Sequence, residues 1–306
     1  MAQNEAPIIL DETEQKIIDI IDAHRDQIID FAKDIYTHAE LGYKEFRTAE
    51  KFANFMKALG LPTKEHLAVT GVKAYLNEEK KDNVSLALIG ELDALRIPEH
   101  KYANPETQGA HCCGHHAQLA GVIGAAIALT NPEVKEKLDG QVVLFAVPAE
   151  EYGEIEFKNK LTDEGKIKYG SGKCELIRIG AFDDIDLDIV HHIGDKYISG
   201  GSTDVGDVQH IQPVLTFNTG GKVSGLHSVD FDIVDDELAY VVTAKIFALS
   251  AYRLLKNDAE KAKEVVENYH PIFTKDAYIQ YMNSFISVEG GSPTEINAPR
   301  GCAVIL

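Results

Sequence analysis

The sequence predicts an α/β protein built as a three-layer αβα domain around a mostly parallel central sheet. Helix-period segments alternate with short apolar segments along the chain, the order that builds parallel sheets. Gln141 to Val147 is a nearly continuous apolar run, the pattern of a strand covered on both faces. Four strand segments end in histidine or carboxylate residues, and working residues of open α/β sheets gather at the carboxyl ends of strands.

The elements follow in order. Asp11 caps a first amphipathic helix with Glu14 as its capping partner, and Ile17, Ile21, Ile28, Phe31 and Ile35 recur at helical spacing. A second helix runs from about Thr48 to Leu59, with Phe52, Phe55, Met56 and Leu59 inward, and Gly60 and Pro62 end it. Thr70–Leu76 and Val84–Ile89 flank the polar turn 77–83 and read as a hairpin. A small-residue helix over 115–130 precedes the strand Gln141–Val147. Cys174–Phe182 reads as helix, Ile185–Val190 and Val214–Asn218 as strands. A helix from about Asp236 to Leu255, capped by Asp235, places Leu238, Val242, Ile246 and Leu249 on one face. A further helix follows Asn257. Residues 1–280 read as one domain, and the Gly/Ser/Pro-rich 281–306 as a disordered tail.

Composition narrows the function classes. The chain has 306 residues, enough for a sizeable core, and a net charge of −19 with no basic stripe, which excludes a nucleic-acid partner. No run reaches the roughly 18 uninterrupted apolar residues of a membrane span, so no membrane association is expected. The amino terminus lacks a basic start and apolar block, and four cysteines in a chain this long do not make a disulfide framework. A cytoplasmic location follows as the expectation. The ending Cys302-Ala303-Val304-Ile305-Leu306 has one residue too many for a prenylation box.

His111-Cys112-Cys113-Gly114-His115-His116 is the most informative segment. Five of its six side chains can ligate a transition metal, and it stands at the mouth of a helix. The other strand ends deliver Gly90-Glu91-Leu92-Asp93, Pro148-Ala149-Glu150-Glu151, His191-His192 and, after a glycine turn, His227. Each piece has a plain alternative. Adjacent glutamates are usually solvated surface, paired histidines can be satisfied core residues, and Cys112 can be a small buried side chain. His111 and His116 fit a role in orienting ligands. His24, His38, His66, His100, His210 and His270 have no such context. Imidazole, carboxylate and thiolate suit zinc, manganese, cobalt or nickel better than magnesium or calcium. Two such ions would activate a shared water and polarise a carbonyl, with a free carboxylate moving the proton.

The motifs His-X-Cys-Gly-His-X at 111–116, Pro-Ala-Glu-Glu at 148–151, His192 after its strand, Gly-X-Ser-X-Asp ending at Asp204 and Leu226-His227-Ser228 together resemble the aminoacylase/carboxypeptidase-type metallopeptidases. Within them the chain is most similar to the amidohydrolase branch of aminobenzoyl-glutamate and auxin-conjugate hydrolases. His38-Ala39-Glu40-Leu41-Gly42-Tyr43 matches a segment near that family's start, and the resemblance spans about Ile17 to Leu255. It implies a zinc-exopeptidase-like catalytic domain and metal ligands at Cys113, His115, Glu151, His192 and His227, with Cys113 bridging as thiolate. It further implies Glu150 as general base, Asp93 as a carboxylate orienting a ligand histidine, and a supporting role for Asp204. Two divalent ions, zinc or manganese, are the implied cofactors, and small N-acyl amino acids or dipeptide-like molecules the implied substrates.

Two departures stand out. His116 replaces the Asp or Asn usual after Cys-Gly-His. Relatives also carry a second domain between the His192 strand and the Gly-X-Ser-X-Asp motif, and here only Lys196-Tyr197-Ile198-Ser199 joins Asp195 to Gly200. The sequence therefore reads as a catalytic domain without its lid, with impaired turnover; it does not fix the oligomeric state, and without the lid a monomer is compatible with it. The competing reading is a metal-binding scaffold that no longer hydrolyses. Retention of both Glu150 and Glu151 favours the enzyme.

Overall fold

The computed structural model describes residues 9–194 and 203–286. The chain runs α1 (Glu12–Ala23), α2 (Arg25–Thr37), α3 (Phe46–Ala58), β1 (Thr63–Leu67), β2 (Gly71–Leu76), β3 (Ser85–Glu91), β4 (Leu95–Arg96), β5 (Gly109–Ala110), α4 (His115–Leu129), α5 (Pro132–Lys135) and β6 (Gln141–Val147). It continues through α6 (Ile155–Asp163), α7 (Gly172–Arg178), β7 (Leu187–Ile193), α8 (Val205–Gln209), β8 (Val214–Thr219), β9 (Lys222–Val223), β10 (Asp232–Ile233), α9 (Val242–Leu255), α10 (Glu260–Asn268) and α11 (Lys275–Asn283).

The central sheet has six strands in the order β1-β2-β6-β3-β7-β8. β6, β3, β7 and β8 pair in parallel, so their carboxyl ends share one edge, while β1 and β2 extend the sheet antiparallel. One apolar core lies between the sheet and α1, α2, α3, α4 and α9. A second lies on the opposite face under α7, α8 and α11. This is the three-layer αβα architecture with a mostly parallel sheet that the sequence predicts.

Several elements differ in detail. The predicted hairpin does not form: β6 lies between β2 and β3 and pairs with both. The reason is that β3 and β6 are buried on both faces, and a strand of that kind is most stable with both edges paired. The first predicted helix is two helices meeting at His24, whose ring Nδ1 bonds the Ile20 carbonyl at 2.8 Å. The Asp11–Glu14 capping box is present. The predicted face of the late helix is also corrected. Leu238 is exposed, and Val242, Ile246 and Leu249 are only partly covered, whereas Ala244, Phe247, Ala248, Ala251 and Leu255 are buried. α9 packs its small residues onto α4, where a Cβ at Gly124 would lie 2.5 Å from the Ala244 methyl.

Glu237–Leu255 is long and apolar enough by composition to cross a membrane, with a mean hydropathy of 1.4, but here its buried face closes the core. α11 runs through Tyr281 to Asn283, and the rest of the predicted tail beyond Ile286 lies outside the described residues. So does the shortened connection at 195–200.

Candidate metal centre

The Cys113–His115 segment turns tightly because Gly114 adopts φ +92°. A Cβ there would also meet Ile193 Cγ2 at 2.1 Å, so both conformation and space require glycine. The turn starts α4 at His115 and leaves Cys113 and His115 on the sheet's carboxyl edge. Ala149 takes φ +49° directly after Pro148, which redirects Glu150 and Glu151 as β6 ends. His191 and His192 lie within β7 rather than after it, because the strand extends to Ile193. His227 has φ +61°, and its N–H donates to the Cys112 carbonyl at 2.9 Å, tying a distant loop to the cysteine segment.

Two groups of ligand-type atoms result. Cys113, Glu151 and His227 each offer one atom within 4.8 Å of the others, and so do Glu91, His115 and Glu150. His115 Nε2 joins the groups, at 3.8 Å from Glu150 Oε2 and 3.9 Å from Glu151 Oε1. His227 Nε2 stands 3.4 Å from Glu151 Oε1. His192 lies near enough for the charges of Glu91, His115, Lys173 and Glu151 to act on its ring, but it belongs to neither group. All seven residues singled out in the sequence therefore fall in one neighbourhood.

Asp93 has two holds on this neighbourhood. Its Oδ2 accepts the Glu151 N–H at 2.9 Å, and its carbonyl oxygen lies 2.8 Å from His115 Nδ1, with Oδ1 at 3.2 Å. With Nδ1 so engaged, Nε2 is the ring atom free to face the cluster. Lys158 donates to the Glu151 carbonyl at 2.7 Å, so the Glu151 peptide is held at both ends. His116 is not among these contacts: it stacks on Tyr36 at 4.5 Å and lies 3.3 Å from the Tyr240 hydroxyl. His111 is buried beside it with both ring nitrogens unbonded.

The electrostatics fit a cation. His192 Nε2 is buried without a hydrogen bond, and His115 Nε2 and Glu151 Oε1 have ionic contacts, to Glu91 Oε2 at 3.0 Å and His227 Nε2 at 3.4 Å; all three residues belong to the ligand set that the sequence resemblance implies. A buried polar atom without a partner costs roughly 1–3 kcal/mol, and a cation held among these groups would offset that cost. Burial pushes the Glu150 carboxyl up to about 8, and the neighbouring Glu91 charge adds to it. The bonds from His227 to Cys113 and then to Glu151 raise the His227 imidazole to about 10. Burial lowers His192 despite the nearby Glu91. Burial would raise Glu151, but His227 and His115 outweigh it and hold the carboxyl low. The donor set of sulfur, imidazole and carboxylate suits a transition-metal ion.

Sequence reading gave no role to Glu91, Lys158 or Lys173. Glu91 was visible only as part of a strand end. A single lysine entering a helix carries no local signal of burial, and only the packing of α6 and α7 against the strand ends reveals both lysines.

A parallel αβα sheet with such a cluster on its rim is the build of a metal-dependent hydrolase. The chain belongs to peptidase family M20/M25/M40, whose model matches residues 87–299. It is 30% identical over 173 residues to IAA-amino acid hydrolase ILR1-like 2 of Arabidopsis thaliana, covering 54% of this chain and 38% of that protein. It is 28% identical over 182 residues to a p-aminobenzoyl-glutamate hydrolase polypeptide of Escherichia coli, covering 58% and 34%. The chain thus spans about two-fifths or less of the length of these curated relatives. Its fold is similar to that of the Bacillus subtilis YXEP protein, a dinuclear metal-binding peptidase. The TM-score is 0.62 at 15% identity, over 76% of this chain and 98% of that one.

Proposed function

We propose that this chain is a metal-dependent amidohydrolase that cleaves the amide bond of small N-acyl amino acids or dipeptide-like molecules. Cys113, His115, Glu151, His192 and His227 would hold two divalent ions, zinc or manganese. The observation that carries this reading is the grouping of ligand-type atoms from separate strand ends, Cys113 with Glu151 and His227, and His115 with Glu91 and Glu150, with His192 nearby. The names of the relatives, hydrolases of IAA-amino acids and of p-aminobenzoyl-glutamate, support a substrate in which an acid is joined to an amino acid.

When bound, such ions acidify a water and polarise the scissile carbonyl. Glu150 is the base. Its carboxylate takes a proton on one oxygen and returns it to the leaving nitrogen, which suits a group raised to about 8 by burial. Asp93 fixes His115 through Nδ1 and Glu151 through its N–H, and Lys158 fixes the Glu151 carbonyl. Residues 1–280 act as one catalytic unit. The short connection at 195–200 leaves no room for a second domain over the site, so substrate is held loosely and turnover is slow. Cys112, Cys113 and Cys174 are free thiols, which suits a reducing cytoplasm, and the chain works as a monomer on small molecules.

The test is elemental analysis joined to a panel of N-acyl amino acids and dipeptides, with added zinc or manganese. Up to two ions per chain are expected, fewer in Cys113→Ser and Glu151→Ala. Glu150→Ala should keep the metal and lose hydrolysis. Unchanged metal content in both ligand variants, or parental turnover in Glu150→Ala, would refute the assignment; metal without hydrolysis in the parent would make the chain a scaffold.

A further inference from the structure

Lys173 is fully buried although it begins a helix, and it lies beside the metal centre without belonging to it. Gly172 makes this possible. A Cβ there would fall 1.6 Å from the Pro148 carbonyl oxygen, so the start of α7 lies directly against the loop that carries Glu150. From that position Lys173 Nζ donates to Glu91 Oε1 at 2.5 Å and also to Asp204 Oδ1. Asp204 Oδ2 accepts the Lys173 N–H at 3.0 Å and the Ser171 hydroxyl at 2.5 Å. Glu91 Oε2 accepts Gln118 Nε2 at 2.8 Å and stands 3.0 Å from His115 Nε2. Three separated stretches of chain, the end of β3, the start of α7 and the start of α8, therefore meet on one ammonium group.

A buried lysine between two carboxylates is a poor way to gain stability, because desolvation of all three charges offsets their attraction. It does fix geometry. Glu91 is a ligand-type carboxylate grouped with His115 and Glu150. Left free, it would compete for any cation held by His115. With Oε1 held by Lys173, only Oε2 faces the imidazole, and Asp204 holds the lysine from the other side.

We propose that Lys173 is a positioning residue. It restrains Glu91 through Oε1, so that this carboxylate is kept from closing further on His115 Nε2 and Glu150 and entering the metal coordination shell. The inference rests on the metal-site reading above and adds two residues, Lys173 and Glu91, that the reading does not use.

The test compares Lys173→Met, Lys173→Arg and the double variant Lys173→Met/Glu91→Gln. In the metal-free chain, the His115 imidazole nitrogen resonances should move in Lys173→Met and return towards parental positions in the double variant. With cobalt(II) bound, the ligand-field spectrum should shift in Lys173→Met and be restored in the double variant. The kcat should fall at least tenfold in Lys173→Met with KM within about twofold of the parent, and Lys173→Arg should recover part of it. Parental resonances and spectrum in a folded Lys173→Met overturn the proposal, and so does a double variant that restores neither. If Lys173→Met does not fold, Lys173→Arg and the double variant carry the same comparison. A parent that binds no metal overturns the function proposed above instead, and the metal-free resonances still decide the role of Lys173.

Discussion

Asp93 Oδ2 accepts the main-chain N–H of Glu151 at 2.9 Å, joining two strand ends 58 residues apart in sequence. The same residue holds the His115 ring through its carbonyl oxygen. One buried residue thus holds the ring of one proposed ligand through its main chain and the backbone of another through its side chain.

Asp93→Ala should therefore weaken metal binding by about 10- to 100-fold, the usual cost of losing a group that orients ligands. Asp93→Asn keeps an oxygen for the Glu151 N–H and should recover much of the loss. Competition against a chromophoric chelator measures both. Parental affinity in Asp93→Ala would remove Asp93 from the site.

Gly114→Ala should destabilise the fold by about 2–4 kcal/mol. The positive φ costs about 1–2 kcal/mol for a residue with a Cβ, and the collision with Ile193 adds overpacking strain. Urea unfolding of the single variant and of its combination with Ile193→Ala tests this. The double variant should lose less than the sum of the two singles, and strict additivity would show that the close contact is absent.

Asp188, near the start of β7, supplies a pH dependence. Burial pushes its carboxyl from 3.8 up to about 7, although Gln212 donates to Oδ2 at 2.7 Å, and Oδ1 has no partner. The folded chain thus keeps a proton that the unfolded chain releases. Stability from this group is greatest below pH 4, falls as pH rises towards 7, and levels off above it. The total is up to about 4 kcal/mol. Asp188→Asn should raise the melting temperature by several degrees at pH 8 and make little difference at pH 4. An equal effect at both pH values would contradict the buried, protonated carboxyl.

Asp11→Ala should cost about 1 kcal/mol, the usual value of an N-cap. Asp11 accepts the Glu14 N–H at 2.8 Å and also the Lys256 ammonium at 2.7 Å, so the cap fastens α1 to the end of α9. Thermal denaturation reads the loss, and a change below about 0.3 kcal/mol would mean that the cap is replaced by solvent.

Legibility in the sequence followed the range of the interactions. The Asp11 cap is a contact between residues three apart, and β6 is a nearly continuous apolar run whose bounds, Gln141–Val147, match those read from the sequence. Both could be read directly. The buried face of α9 could not, because it is chosen by Gly121 and Gly124 on α4, whose missing side chains admit Thr243, Ala244 and Phe247, while Leu238 stays exposed. The false hairpin has a similar origin: proximity in sequence favoured β2 with β3, and a strand arriving 50 or so residues later, as such crossovers do, took the place between them.

By itself, the sequence determined the αβα class and the residue types offered at the strand ends, because periodicity and side-chain chemistry are local properties. Only the tertiary structure decided which atoms meet. Whether His115 turns Nε2 to the carboxylates, whether Lys158 holds a carbonyl, and whether Lys173 lies between Glu91 and Asp204 depend on the parallel alignment of four strands and on two glycines that allow close approach. Charges are selected by their neighbours in space, and those neighbours come from distant parts of the chain.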